Sequence, residues 1–193
     1  MSSAGIKAPF YPIIYVRGYA MRPADIKATT ETPYMGFNLG STKVRQRWNK
    51  STTRHVFESP LIRLMKEYGY QDVYNDGKTL DGDIPTRSII IHRYYDEADE
   101  HFGSGEVPSI PEAAQGLGEL ILRVRNQLCG SDPELRNQFK VHLVAHSMGG
   151  LICRTLLQND NLQQEEARQL VDKVFTYGTP HNGIDMRGLH VPE

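Results

Sequence analysis

The residues best suited to chemistry meet in one decapeptide, Val141-His-Leu-Val-Ala-His-Ser-Met-Gly-Gly150. An apolar run of Val141, Leu143, Val144 and Ala145 leads into Ser147, and Leu151, Ile152, Leu156 and Leu157 follow it at helical spacing. That order predicts a strand, a sharp turn and a helix, with the serine at the turn. A serine hydroxyl becomes a useful nucleophile when its backbone holds it clear of its neighbours and a base takes its proton; a strained strand-to-helix turn supplies the first condition. Such a turn crowds the positions two before and two after the serine, here Ala145 and Gly149. Glycine is usual at the first of these, and a methyl group is the smallest side chain that can replace it. Gly150 then allows the helix to approach the sheet closely.

The base and its acid are harder to place. After Ser147 the histidines are His181 and His190, and the aspartates are Asp160, Asp172 and Asp185. His181, in the turn Tyr177-Gly-Thr-Pro-His-Asn-Gly183, and Asp185, just beyond it, are the candidate base and acid; His190 lies three residues from the end and is a weaker candidate. His142 and His146 are four apart on a strand, too distant along its axis to share a metal ion, and no helical HExxH pair occurs. His92 reads as a strand histidine. Cys129 and Cys153 form no CxxC pair, and Cys153 reads as a small core residue. No metal and no organic cofactor is expected.

The elements that must position Ser147 alternate along the chain. Tyr11 to Val16 reads as a buried strand ending at Arg17-Gly18-Tyr19, and Ser88 to Tyr95 as a second. Ser59-Pro60 opens an amphipathic helix ending near Gly69, and Ser109 to Leu128 is a longer one with Pro111 in its first turn and Gly130 as its stop. After the Ser147 strand and helix, Gln163 to Val171 reads as a short helix and Val174 to Tyr177 as a last strand. Strands alternating with helices imply a parallel sheet. About residues 20 to 57 the pattern lapses into a polar, structureless insert that carries Lys43, Arg45, Arg47, Lys50 and Arg54. This basic stretch, 43 to 54, reads as a solvated loop or as a flap whose Tyr34, Met35, Phe37 and Trp48 meet an apolar substrate.

Composition excludes several classes. The chain has 193 residues, 39% hydrophobic, and a net charge of -1, so nothing draws it as a whole to nucleic acid, and no nucleic-acid partner is expected. Gly36 to Lys43 lacks the glycine spacing and flanking elements of a phosphate-binding loop, and Asp72 to Asp83 lacks the ligand order of a calcium loop. No signal-like start and no membrane-spanning run is seen, which points to the cytoplasm and leaves room for transient contact with a membrane surface.

Three separated features together resemble the α/β-hydrolase superfamily, of the lipase and serine esterase type, close to bacterial lipases and to the GPI inositol-deacylase group: Ile13 to Tyr19, Ala145 to Gly150, and Tyr177 to Gly183. The resemblance covers nearly the whole chain apart from the insert, and implies a mostly parallel sheet flanked by helices. It also implies that Ser147 is the nucleophile for carboxylic esters, small or lipid, and that the backbone N–H groups of Met148 and Tyr19 form the oxyanion hole. Where many members carry a histidine, this chain has Arg17, which puts the hydrogen bonding of that loop in question. The acid and histidine of this fold usually follow later strands. Residues 1–193 are therefore expected to form a single, partial domain, an N-terminal fragment lacking the last strands, with weak or absent turnover and an apolar sheet edge at Val174 to Tyr177. Two rival readings are an acyltransferase using the same serine and a non-catalytic hydrolase-fold protein that binds partners through its basic insert.

Overall fold

In the computed structural model, the residues described are 6–18, 41–46, 52–57, 60–73, 84–94 and 106–183; residues 41–46, 52–57, 60–62 and 72 are described by their backbone alone. Four runs build the sheet that carries Ser147: β1 (Ile13–Val16), β5 (Ser88–His92), β6 (Val141–His146) and β7 (Val171–Tyr177). The two-residue β4 (Gln71–Asp72) adds a fifth strand, and the order across the sheet is β4-β5-β1-β6-β7. Every pairing is parallel. All residues of β1 and β5 are buried, which explains why they read as continuous apolar runs: a parallel strand in mid-sheet must satisfy an apolar layer on each face.

The helices are α1 (Pro60–Tyr68), α2 (Ile110–Cys129), α3 (Pro133–Gln138), α4 (Gly149–Gln158) and α5 (Glu165–Gln169). Helix α2 starts at a capping box, in which the Ser109 hydroxyl accepts from the Glu112 N–H and the Glu112 carboxylate accepts from the Ser109 N–H. Its Ala114, Leu117, Ile121 and Val124 recur at helical spacing, are fully buried, and join Ile14, Val16, Leu143 and Ala145 of the sheet and Ile152 and Leu156 of α4 in one cluster. A Cβ on Gly118 would stand 2.8 Å from Cδ of Gln164, so this helical glycine marks a close approach between elements. The opposite face of the sheet has a smaller cluster of Ile13, Tyr15, Ile89, Ile91 and Val144 with Tyr70, against which Leu64 and Met65 of α1 pack.

The alternation of strands and helices expected from the sequence is present, with four differences. The insert is not structureless throughout: β2 (Ser41–Gln46) and β3 (Thr52–Phe57) pair antiparallel, from Ser41 with Phe57 to Gln46 with Thr52. Thr42, Val44, Thr52, Thr53 and Val56 supply the β-branched residues for this hairpin, and the interspersed basic residues hid them from a search for apolar runs. Strand β5 ends at His92 rather than running on to Tyr95. Asp132 caps the unpredicted α3 by accepting from the N–H groups of Glu134 and Leu135. The last helix is only Glu165–Gln169, after Gln163 at φ 53°, and β7 begins at Val171, three residues earlier than expected, because Val171 already pairs with Val141.

Candidate functional site

Sheet topology alone marks one position. From central β1 the chain moves to the β5 side, whereas from adjacent β6 it moves to β7 on the other side. Ligands of open α/β sheets bind at the carboxyl ends of the strands where connections diverge in this way. The carboxyl ends of β1 and β6 are followed by Gly18 and Ser147.

The backbone at Ser147 has φ 52°, a left-handed conformation that costs an ordinary residue roughly 1–2 kcal/mol. Pairing holds it there. The Ser147 N–H donates to the Tyr177 carbonyl at 2.8 Å, extending the β6–β7 ladder through the serine, while the Ser147 carbonyl accepts from the Gly150 N–H at 3.0 Å as the helix begins. The turn has room for no more side-chain bulk. A Cβ on Gly149 would run into the Val16 carbonyl oxygen and stand 2.7 Å from that of Arg17, and a Cβ on Gly18 would stand 2.7 Å from Cβ of Ser147. Gly150 is likewise pressed against Thr179, where a Cβ would lie 2.6 Å from Cγ2. The small residues around the serine thus answer to specific neighbours, and the turn after β7 packs directly on the start of α4.

Met148, the N-cap of α4, has φ -56° and ψ -27°, and its N–H makes no hydrogen bond among the described residues. An unbonded amide at a helix N-terminus favours negative charge in front of it. Tyr19 lies outside the described residues, and so do Asp185 and His190. The loop bearing Arg17 and Gly18 is secured: the Tyr94 hydroxyl, buried, donates to the Arg17 carbonyl at 3.0 Å. Sequence reasoning read Tyr94 only as part of a strand; it lies two residues past the end of β5, the neighbour of β1, and nothing local in the sequence marked its contact with Arg17. Arg17 itself is fully buried.

His181 lies in the turn after β7, and no hydrogen bond joins it to Ser147. Its exposed ring lies 3.5 Å from the Thr176 hydroxyl, and its carbonyl accepts from Arg154 at 3.1 Å. Among the described residues none makes a side-chain hydrogen bond to Ser147. His146, one residue before the serine, is held below the ordinary imidazole pKa by burial and by the nearby charge of Arg17. His142 is at the far end of β6, where Nε2 donates to the Pro9 carbonyl at 2.9 Å and Nδ1 lies 3.5 Å from the Asp172 carboxylate. His92, buried, donates from Nε2 to the Ala113 carbonyl at 2.8 Å, and burial pushes its pKa down to about 4. Burial pushes the Cys153 thiol up to about 12, which leaves no thiolate for chemistry near neutrality.

A groove of about 530 Å³ runs on the α1 side of the sheet, between α1 and the strands β6 and β7, with Ile13, Leu64, Val144, Phe175 and Tyr177 among its lining. Among the described residues no group of three or more His, Cys, Asp or Glu could hold a metal ion, and no helix is long and apolar enough to cross a membrane.

In comparisons with known proteins, the family described as the PGAP1-like alpha/beta domain matches residues 71–187, a span that includes β5, α2, β6, Ser147, α4, β7 and the turn after it. No curated protein and no solved structure matches.

Proposed function

The chain belongs to the PGAP1-like alpha/beta domain family, within the lipase- and esterase-like hydrolases, and from that premise we propose that it is a serine hydrolase of carboxylic esters acting through an acyl-enzyme on Ser147. One observation carries the reading: Ser147 is held at φ 52° at the strand-divergence point, in a turn whose glycines leave no space for another side chain. Strain at a non-glycine residue persists only where the surrounding fold imposes it, and such places cluster at sites of function.

In this reading Oγ of Ser147 attacks the ester carbonyl carbon, and the negative charge that develops on the carbonyl oxygen is met by the Met148 N–H at the helix start, with the Tyr19 N–H as second donor. Each well-aimed donor contributes about 3 kcal/mol to the transition state. The carbon–oxygen bond to the alcohol then breaks, the alcohol leaves with a proton, and water hydrolyses the acyl-serine to regenerate the hydroxyl. A histidine takes and returns the proton; His181 is the described candidate, with Asp185 as its acid.

The test is mass spectrometry of the intact protein after a short incubation with an activated carboxylic ester, with and without hydroxylamine. The proposal expects an acyl adduct on the Ser147 peptide that hydroxylamine removes and that Ser147→Ala abolishes. Ester turnover that persists in Ser147→Ala would refute it. Product analysis with an added alcohol separates hydrolysis from transfer: a new ester in place of free acid would make the protein an acyltransferase. His181→Ala should slow adduct formation about 100-fold if that ring is the base.

A further inference from the structure

Strand β1 is held near both ends by a buried phenol. At its entry the Tyr70 hydroxyl donates to the Tyr11 carbonyl at 2.8 Å, and at its exit the Tyr94 hydroxyl donates to the Arg17 carbonyl at 3.0 Å. The registered pairs of β1 end at Val16, opposite His92 of β5 and Ala145 of β6, so Arg17 is the first residue beyond them. What Tyr94 holds there is a peptide in contact with the serine turn. A Cβ on Gly18 would stand 3.3 Å from Oγ of Ser147, and the Arg17 carbonyl oxygen would lie 2.7 Å from a Cβ on Gly149. Tyr94 is backed in turn: its ring centroid lies 5.6 Å from that of His92, whose Nε2 donates to the Ala113 carbonyl of α2. A line of contacts thus runs from α2 through His92 and Tyr94 to the peptide beside Ser147.

We propose, resting on the reading of Ser147 as the nucleophile with the Met148 and Tyr19 amides as oxyanion donors, that Tyr94 is a positioning residue for that hole, acting through the Arg17 carbonyl on the Tyr19 N–H. The Met148 N–H needs no such help, because it is bonded directly to the residue that attacks. The Tyr19 N–H belongs to the peptide after Gly18, and a glycine imposes little on the direction of the chain that leaves it. Its aim therefore depends on what fixes the preceding peptide. A peptide unit is planar, so a bond that holds the Arg17 carbonyl also holds the Gly18 nitrogen and Cα from which the next unit starts. Oxyanion donors act at roughly 2.7–3.1 Å, and loss of the phenol hydroxyl displaces the Tyr19 donor without removing it. The expected cost is roughly tenfold in acylation rate, against roughly 100-fold or more for removing a donor outright.

The experiment compares single-turnover acylation of the full chain by 4-nitrophenyl acetate and by its thiono analogue, each rate expressed per site titrated to completion with a fluorophosphonate, so that any unfolded fraction drops out. Sulfur is a weaker hydrogen-bond acceptor than oxygen, so the thiono ester gains little from the donors and the oxo-to-thiono rate ratio reports their aim. Tyr94→Phe, which deletes only the hydroxyl, should lower the maximal oxo rate roughly tenfold with the half-saturating concentration unchanged, and should leave the thiono rate within about twofold. Tyr70→Phe removes the equivalent bond at the other end of β1 and should leave the ratio at its wild-type value. 4-Aminophenylalanine at position 94 keeps a donor of similar reach and should hold the ratio near wild type, a comparison that stands even if Tyr94→Phe does not fold. Equal slowing of both esters by Tyr94→Phe, no slowing of either, a ratio that Tyr70→Phe lowers as far, or a ratio that falls tenfold with 4-aminophenylalanine would each overturn the role of Tyr94 while leaving that of Ser147. A wild type that neither ester acylates would overturn both.

Discussion

The two faces of the sheet are built for different purposes. On the face of Ile14, Val16, Leu143 and Ala145, helices α2 and α4 complete a fully buried layer, whereas on the face of Ile13, Tyr15 and Val144, among the described residues, α1 and Phe10 pack and a groove runs along β6 and β7. Ser147 sits where these regions meet, with its helix fixed to the covered face and its amide tied to the exposed strand. A strained turn needs one rigid support, and the covered face provides it. Binding needs surface that the fold has not used, and among the described residues the groove beside β6 and β7 offers it.

Substitutions can sharpen or break that contrast. The largest effect is expected for Leu143→Ala on the covered face: Leu143 is fully buried, and its truncation should destabilise by about 3 kcal/mol in urea denaturation, from lost burial plus the cavity left behind. Acid should act on the same face. His92 is held neutral by burial and takes up its proton only near pH 4, whereas the unfolded chain binds it near 6.5, so its contribution is complete above about pH 6.5 and is lost as the pH falls toward 4. The loss amounts to as much as about 3 kcal/mol, and His92→Gln, which keeps a donor for the Ala113 carbonyl, should flatten that pH dependence in the same assay. At the serine the sign reverses: Ser147→Gly should be more stable than Ser147→Ala by about 1 kcal/mol, because glycine adopts φ 52° without strain. On the open face, Phe175→Ala should change the stability of the isolated chain by less than about 0.5 kcal/mol, as the ring is already half exposed. A Phe175→Ala effect as large as that of Leu143→Ala would erase the distinction between the faces.

How far the sequence disclosed this arrangement depended on the signal each residue carries. Strands buried on both faces show as unbroken apolar runs, so Ile13–Val16 and Ser88–His92 were plain, and the small residues flanking Ser147 marked its turn. The hairpin of β2 and β3 was not legible, because basic residues interrupt its apolar pattern, and the first residues of β7 were hidden by the charges of Asp172 and Lys173. At the site, the strain at Ser147 and the closeness of Gly18 and Gly149 to β1 and the serine follow from the motif. Tyr94 could not be found this way, since its hydrogen bond to the Arg17 carbonyl spans 77 residues of sequence and leaves no local pattern. The partner of the Ser147 hydroxyl was equally illegible, because a base is defined by where its ring comes to rest, and His181 rests against Thr176.

The central claim, that Ser147 is an activated nucleophile, is tested most directly by a fluorophosphonate probe, which reacts only with a serine whose hydroxyl is activated and accessible. The account predicts stoichiometric labelling of the Ser147 peptide in the folded chain and its loss in Ser147→Ala. A folded chain that takes up no label, or takes it up elsewhere, would contradict it.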